Sequence, residues 1–179
     1  PDLLPSDITG VNMFNQKSGE WVFHAGPVFA EIVLADEINR ASPKTQSALL
    51  EVMEEAQVTV DGVRRPAPQP FMVIATQNPV EQAGTYPLPE AQLDRFLMKT
   101  SIGYPSRAAM IDVLDGSASP DRSKNLEPLV TGQDIVAWAA LASANHTDRA
   151  VLDYVAALAE ATREDESSLL GVSTRGAIG

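Results

Sequence analysis

The sequence predicts an α/β core followed by an all-α segment. Three observations carry this. Two short apolar runs, "IVLA" and "FMVIA", each stop abruptly at polar residues, with a helix-patterned stretch between them. Composition shifts at "GSASPDRSKNLEP", from Gly116 to Pro128, to a linker-like mixture. Beyond it, apolar residues recur at helical spacing only. The boundary is placed near residue 120: a core over 1–115, a linker over 116–128 and a helical part over 129–179.

The elements follow in order. "VNMFNQKSGEWVFHAGP" carries apolar and aromatic residues on both sides of Lys17-Ser18-Gly19, and so predicts a hairpin. Ile32 to Ala35 is a buried strand. Ser42 is the N-cap and Pro43 the first position of a helix whose apolar face is Ala48, Leu49, Val52, Met53 and Ala56. "QVTVDGVRRP" is a second hairpin, turning at Asp61-Gly62. Phe71 to Ala75 is a second, fully buried strand. A loop containing Gly84, Pro87 and Pro89 leads into a short helix bearing "EAQLDRF". "LMKTSIGYP" is expected to be a third strand and "SRAAMIDVLDG" a helix. Thr131 is expected to cap a helix with Ile135, Trp138, Leu141 and Ala142. Asp148 caps another with Val151, Leu152, Val155, Leu158 and Ala159, and Ser173 caps a last one.

Composition narrows the function. The 179 residues include no cysteine, which excludes disulfides and cysteine-ligated zinc or iron–sulfur sites and is compatible with a reducing cytosol. Hydrophobic residues make up 44%, enough for a packed core. Thirteen basic against 24 acidic residues give a net charge of −11. Such a surface repels nucleic-acid backbone unless basic residues cluster, and only short pairs such as Arg64-Arg65 occur, so no nucleic-acid partner is expected. No apolar run approaches the roughly 18–20 residues of a membrane helix, so no membrane insertion is expected. A cytoplasmic location is expected.

The chemistry concentrates where "IVLA" meets Asp36 and Glu37. Ligands of parallel sheets bind at the carboxyl ends of strands. Adjacent strand residues point opposite ways, so the two acids cannot do one identical job. One arrangement uses both: a carboxylate that holds Mg²⁺ through water, and a second that polarises a water for attack on a phosphoryl group. A strand that simply exits into solvent is the plain alternative. Asn78 also ends a strand, and an amide can orient the same water; a turn before Pro79 is its plain alternative.

At this point the residues match a family. "GPVFAEIVLADEINRASPKTQSALLEVMEEAQVTVDGV" and "FMVIATQNPVEQAGTYPLPEAQLDRFLMK" resemble the MoxR family of AAA+ ATPases. "DLLPSDITG" at the start fits as well, and the likeness continues more loosely to "LLGVSTRGA". The resemblance implies a partial AAA+ P-loop NTPase core, a parallel sheet with flanking helices and β-hairpin inserts, followed by part of an all-α lid. It makes "IVLADE" the Walker B motif, with Asp36 supporting Mg²⁺ and Glu37 activating the hydrolytic water. Asn78 matches sensor 1. Arg95 in "LDRF" matches the arginine finger, reaching the γ-phosphate of ATP on a neighbouring subunit; a salt bridge to Asp94 or Glu90 is its plain alternative. Arg175 in "GVSTRGA" matches sensor 2, with Thr174 where many relatives have proline, and the resemblance leaves open whether it serves its own subunit or a neighbour. Trp21 and Phe23 would face the channel of a ring and grip a client, against simple hairpin packing, and Arg40 would lie at a subunit interface, against a surface salt bridge. The implied assembly is a homo-oligomeric, hexameric ring that hydrolyses ATP with Mg²⁺ and remodels or matures client proteins. A partner with a von Willebrand factor A-type domain is also implied.

No G-x-x-x-x-G-K-[ST] occurs in these residues. The core is therefore expected to lack the Walker A strand, loop and helix, and the chain alone to be inactive and a poor binder of ATP. That expectation keeps a second reading open, a non-catalytic ring-forming or interaction module. A metal-assisted phosphohydrolase of another type is disfavoured, because His24 and His146 are the only histidines and no dense His/Asp cluster exists.

Overall fold

A computed structural model describes residues 3–78, 84–116 and 126–178. Helix α1 (Pro5–Thr9) leads into strands β1 (Gly10–Asn15) and β2 (Glu20–Ala25), an antiparallel hairpin registered from Gly10↔Ala25 to Asn15↔Glu20. The Lys17-Ser18-Gly19 turn expected from sequence lies between them. The base of this hairpin is tight: a Cβ on Gly26 would strike the Ile8 carbonyl, so only glycine fits there.

Strand β3 (Ile32–Ala35) is followed by a 3₁₀ turn, Ile38–Arg40, and by helix α2 (Pro43–Glu55). The Ser42 hydroxyl accepts the Thr45 amide at 3.3 Å, and Pro43 occupies the first turn, as the sequence predicts. Strands β4 (Gln57–Val60) and β5 (Val63–Pro66) form the second hairpin. Its two turn residues, Asp61 and Gly62, both have positive φ (50° and 77°), the geometry that suits the twist of a two-residue hairpin loop. Strand β6 (Met72–Ala75) pairs parallel with β3, Ile32↔Met72 through Ala35↔Ala75. Helices α3 (Glu90–Leu93) and α4 (Arg107–Leu114) follow.

The core gathers where α2 meets β3 and the second hairpin. Val28, Val33, Ile38, Leu49, Leu50, Val52, Val58, Ala67 and Leu88 are buried together. Three sequence expectations change here. Neither parallel strand is fully buried: Val33 and Val73 face the core, whereas Ile32, Leu34, Met72 and Ile74 are 48–65% exposed. The alternation of strand side chains leaves that second face uncovered among the described residues. "LMKTSIGYP" forms no strand, because a strand needs a ladder partner and the described residues offer it none; Leu97, Met98, Ile102 and Tyr104 stay exposed. Ala56 does not extend the apolar face of α2 but ends the helix in a left-handed conformation, its amide on the Val52 carbonyl, while Leu50 is the more deeply buried residue.

The remaining helices start where the sequence places them. Thr131 and Asp134 form a reciprocal capping box on α5 (Gly132–Ser143), Asp148 caps α6 (Arg149–Glu164), and Ser173 accepts the Gly176 amide at the start of α7 (Thr174–Ile178). Their apolar residues are mostly exposed, Trp138 and Leu141 included; in α6 only Ala159 is buried. Most of the predicted linker, residues 117–125, lies outside the described residues.

Candidate active site

Strands β3 and β6 end side by side, and their last ladder bonds continue into the loops beyond. The Thr76 amide donates to Ala35 O at 3.1 Å, and the Ile38 amide to Thr76 O at 3.0 Å. The side chain of Thr76 works between them. Its hydroxyl donates to Asp36 Oδ1 at 2.5 Å and accepts the Glu37 amide at 2.9 Å. Glu37 sits in the left-handed region (φ 50°, ψ 48°), a conformation that disfavours side chains by about 1–2 kcal/mol. The bonds from Thr76 hold it there, so the two acids leave the simple up-and-down alternation of a strand. Glu37 Oε2 also meets Arg40 Nη1 at 3.1 Å, a half-exposed pair that contributes little stability.

Asn78 is brought to the same place. Asn39 is buried and donates from Nδ2 to Asn78 O at 3.3 Å, while its own carbonyl accepts the Tyr86 amide at 2.6 Å. Gln46, on the buried face of α2, donates from Nε2 to Ile38 O at 3.0 Å and to Tyr86 O at 2.8 Å. The connection after β3 and the one between β6 and α3 are thereby tied to one helix. The sequence reading missed Thr76, Asn39 and Gln46 as working residues. Gln46 carried a signal: it stands three and four residues before Leu49 and Leu50, a polar side chain in the middle of an apolar face.

Arg95 and Arg175 lie elsewhere, but together. Arg95 Nη1 donates to Leu50 O at 3.0 Å and its Nη2 meets Glu54 Oε2 at 2.9 Å. Arg175 Nη2 meets the other oxygen of Glu54 at 2.6 Å, and its Nη1 stands 4.0 Å from Asp94 Oδ2. Thus Arg95 pairs with Glu54, neither Asp94 nor Glu90. It borders a cleft of about 290 Å³ shared with Ser47, Glu51, Glu55 and Gln92. Glu54 is near the C-terminus of α2, eleven residues after Pro43 and so about 16 Å along the axis from the end that faces Glu37.

The hairpin aromatics separate. Phe23 packs edge-on against Phe29 (5.6 Å between centroids) and under Arg65, whose guanidinium carbon stands 3.6 Å from the ring centre. Trp21 touches Phe14 and is 70% exposed. The first hairpin is joined to the second by Asn12 Nδ2 donating to Asp61 Oδ2 at 2.7 Å.

The donor set is compatible with Mg²⁺. Among the described residues no group of three His, Cys, Asp or Glu side chains could hold a metal. Mg²⁺ does not need one: it keeps most of its water and takes one or two carboxylates together with substrate phosphates. Exposed Asp36, with one oxygen held by Thr76, fits that role.

Comparison with known proteins decides the family. Residues 1–98 match the model of the ATPase family associated with various cellular activities (AAA). The chaperone MoxR1 of Mycobacterium tuberculosis is 46% identical over 167 residues, 93% of this chain and 44% of that protein. The chain belongs to the MoxR family of AAA+ ATPases. Another relative is the uncharacterized protein YeaC of Bacillus subtilis, 51% identical over 178 residues, 99% of this chain and 56% of that one. A crystal structure of a candidate ATPase from Cytophaga hutchinsonii superposes with a TM-score of 0.83 at 42% identity, over 99% of this chain and 57% of that one. The chain thus spans about half the length of the curated relatives it matches. The fold is that of an AAA+ core with its parallel sheet and flanking helices, as the MoxR resemblance implied. Among the described residues no helix is long and apolar enough to cross a membrane.

Proposed function

We propose that the protein hydrolyses ATP and uses the energy to remodel or mature client proteins. The observation that carries this reading is the Thr76 bridge: one hydroxyl fixes Asp36 and the Glu37 backbone at the carboxyl end of a parallel strand pair, beside Asn78. Membership of a family of ATPases, with a relative named a chaperone, supports it.

The residues divide the work. Asp36 would hold Mg²⁺, which would supply neutralisation of the phosphate charge. Glu37 takes a proton from the attacking water. Asn78 orients that water. Arg95 neutralises charge growing on the γ-phosphate in the transition state, so its loss lowers turnover more than binding. Since Arg95 lies at the far end of α2 from Glu37, it serves a neighbouring subunit's nucleotide. Arg175 contacts nucleotide phosphate from the helical part. The assembly that completes each site is a hexameric ring in the cytoplasm, with the core over 1–115, the linker over 116–128 and the lid over 129–179. A von Willebrand factor A-domain protein is its proposed partner, and exposed Trp21 its client contact.

The test is phosphate release from ATP by the full-length protein, with and without Mg²⁺. Mg²⁺-dependent release whose rate per subunit rises with protein concentration supports a ring with shared sites. Release at background favours the non-catalytic interaction module.

A further inference from the structure

Beyond the last ladder pair, Ala35↔Ala75, the segments after β3 and β6 stay joined step by step. Thr76 makes the first step: its hydroxyl holds Asp36 and the Glu37 amide, and its carbonyl accepts the Ile38 amide. Asn39 makes the next. It stands two residues past Glu37, as Asn78 stands two past Thr76, and its Nδ2 donates to Asn78 O at 3.3 Å. The Asn39 backbone is itself fixed. It lies in the 3₁₀ turn Ile38–Arg40, where the Arg40 amide donates to Glu37 O at 2.8 Å, and its carbonyl accepts the Tyr86 amide. Asn39 is 7% exposed, yet its Oδ1 has no hydrogen-bond partner among the described residues. A buried amide oxygen without a partner costs stability. Turning the amide over would set Oδ1 against the Asn78 carbonyl, acceptor against acceptor, so Asn78 dictates the orientation. An apolar side chain would fill this place without that penalty. What the amide adds is the bond to Asn78.

We propose that Asn39 is a positioning residue, which acts through Asn78 and sets where Asn78 stands relative to Glu37. This rests on the reading of Glu37 as the base and of Asn78 as the residue that orients the attacking water. Those two groups belong to different segments, one after each strand, and must address a single water. Such a pair works only when it is held within about 0.5 Å of the productive geometry. Thr76 braces the two segments on the side nearer the strands, and Asn39 braces them on the far side. Without the Asn39 amide, the Asn78 carbonyl loses its tie to the turn that carries Glu37. The water is then oriented less well, while Asp36 and its bond from Thr76 are untouched. The loss falls on kcat rather than on KM.

The experiment is a double-mutant cycle on phosphate release from ATP with Mg²⁺ by the full-length protein. It compares the wild type, Asn39→Ala, Asn78→Ala and the two substitutions together. Asn39→Ala should lower kcat at least about tenfold and leave KM within about twofold. In the Asn78→Ala background the same substitution should cost nothing further, because the residue it acts through is gone. Asn39→Ser, a smaller change whose hydroxyl is too short to span the gap to Asn78, should lower kcat as Asn39→Ala does. Urea unfolding of each variant separates lost positioning from lost folding. Losses that add in the double variant, an unchanged kcat, a change confined to KM, or unfolding of both Asn39 variants would overturn the proposal. A wild type that releases no phosphate would overturn the ATPase reading and this proposal with it. An active wild type with additive losses would overturn this proposal alone.

Discussion

The Thr76 hydroxyl donates to Asp36 Oδ1 at 2.5 Å, from the end of one parallel strand to the end of its neighbour. The same oxygen accepts the Glu37 amide, so one side chain sets a carboxylate and the left-handed turn beside it. Thr76→Val keeps the shape and removes both bonds. Turnover of ATP should fall about tenfold or more, with a stability loss near 1 kcal/mol. Thr76→Ser should restore most of the rate. Steady-state phosphate release and urea unfolding measure the two effects, and a fully active valine variant would remove Thr76 from the site.

Gln46 is the buried tie between the loop after β3 and the loop before α3. Gln46→Leu suits the apolar face of α2 but leaves the Ile38 and Tyr86 carbonyls without this donor. Urea unfolding should show a loss of about 1–3 kcal/mol. A neutral or stabilising result would mean that the loops are held by other bonds.

The two hairpin aromatics should behave differently. Phe23→Ala removes a ring packed on Phe29 and Arg65, and should lower stability by about 2 kcal/mol. Trp21→Ala takes away a side chain that is 70% exposed and should lower it by less than about 1 kcal/mol. Paired melting curves decide. Equal losses would contradict the separation of a packing residue from a surface one.

Helix α5 should weaken in acid. Hydrogen bonds from the Thr131 hydroxyl and then its amide hold the Asp134 carboxyl below its ordinary value of 3.8. A lowered folded-state value means the cap stabilises at neutral pH and is lost as pH falls through that lowered value. Amide exchange in the first turn of α5 should therefore speed up at low pH, and Thr131→Ala, which removes the hydroxyl bond and keeps the amide one, should weaken that dependence. A pH-independent first turn would argue against the capping box.

Much of this was legible in the sequence because local chemistry fixed it. Ser42-Pro43, Thr131, Asp148 and Ser173 mark helix starts by hydrogen-bonding capability alone, and Asp61-Gly62 names its turn. The polar strand ends at Asp36 and Asn78 mark where the site is proposed. Long-range pairing was not legible. "LMKTSIGYP" has strand-like residues, but strand formation depends on a partner, which no local pattern reports. The open face of β3 and β6 was hidden for the same reason, since an apolar run reads alike whether one face or both are covered. Thr76 looked like one more polar residue at a strand end, and its role needs the neighbouring strand. Glu54 is one acid among several near the end of α2, and only the fold brings Arg95 and Arg175 to it.

The central claim is that Glu37 activates the water that attacks ATP. Glu37→Gln keeps size and removes the base, and it leaves Asp36 and the Thr76 bridge to Asp36 in place. ATP affinity and phosphate release should be measured together for this variant in the full-length protein. The account predicts wild-type affinity with turnover reduced at least about a hundredfold. Unchanged turnover at unchanged affinity would contradict it.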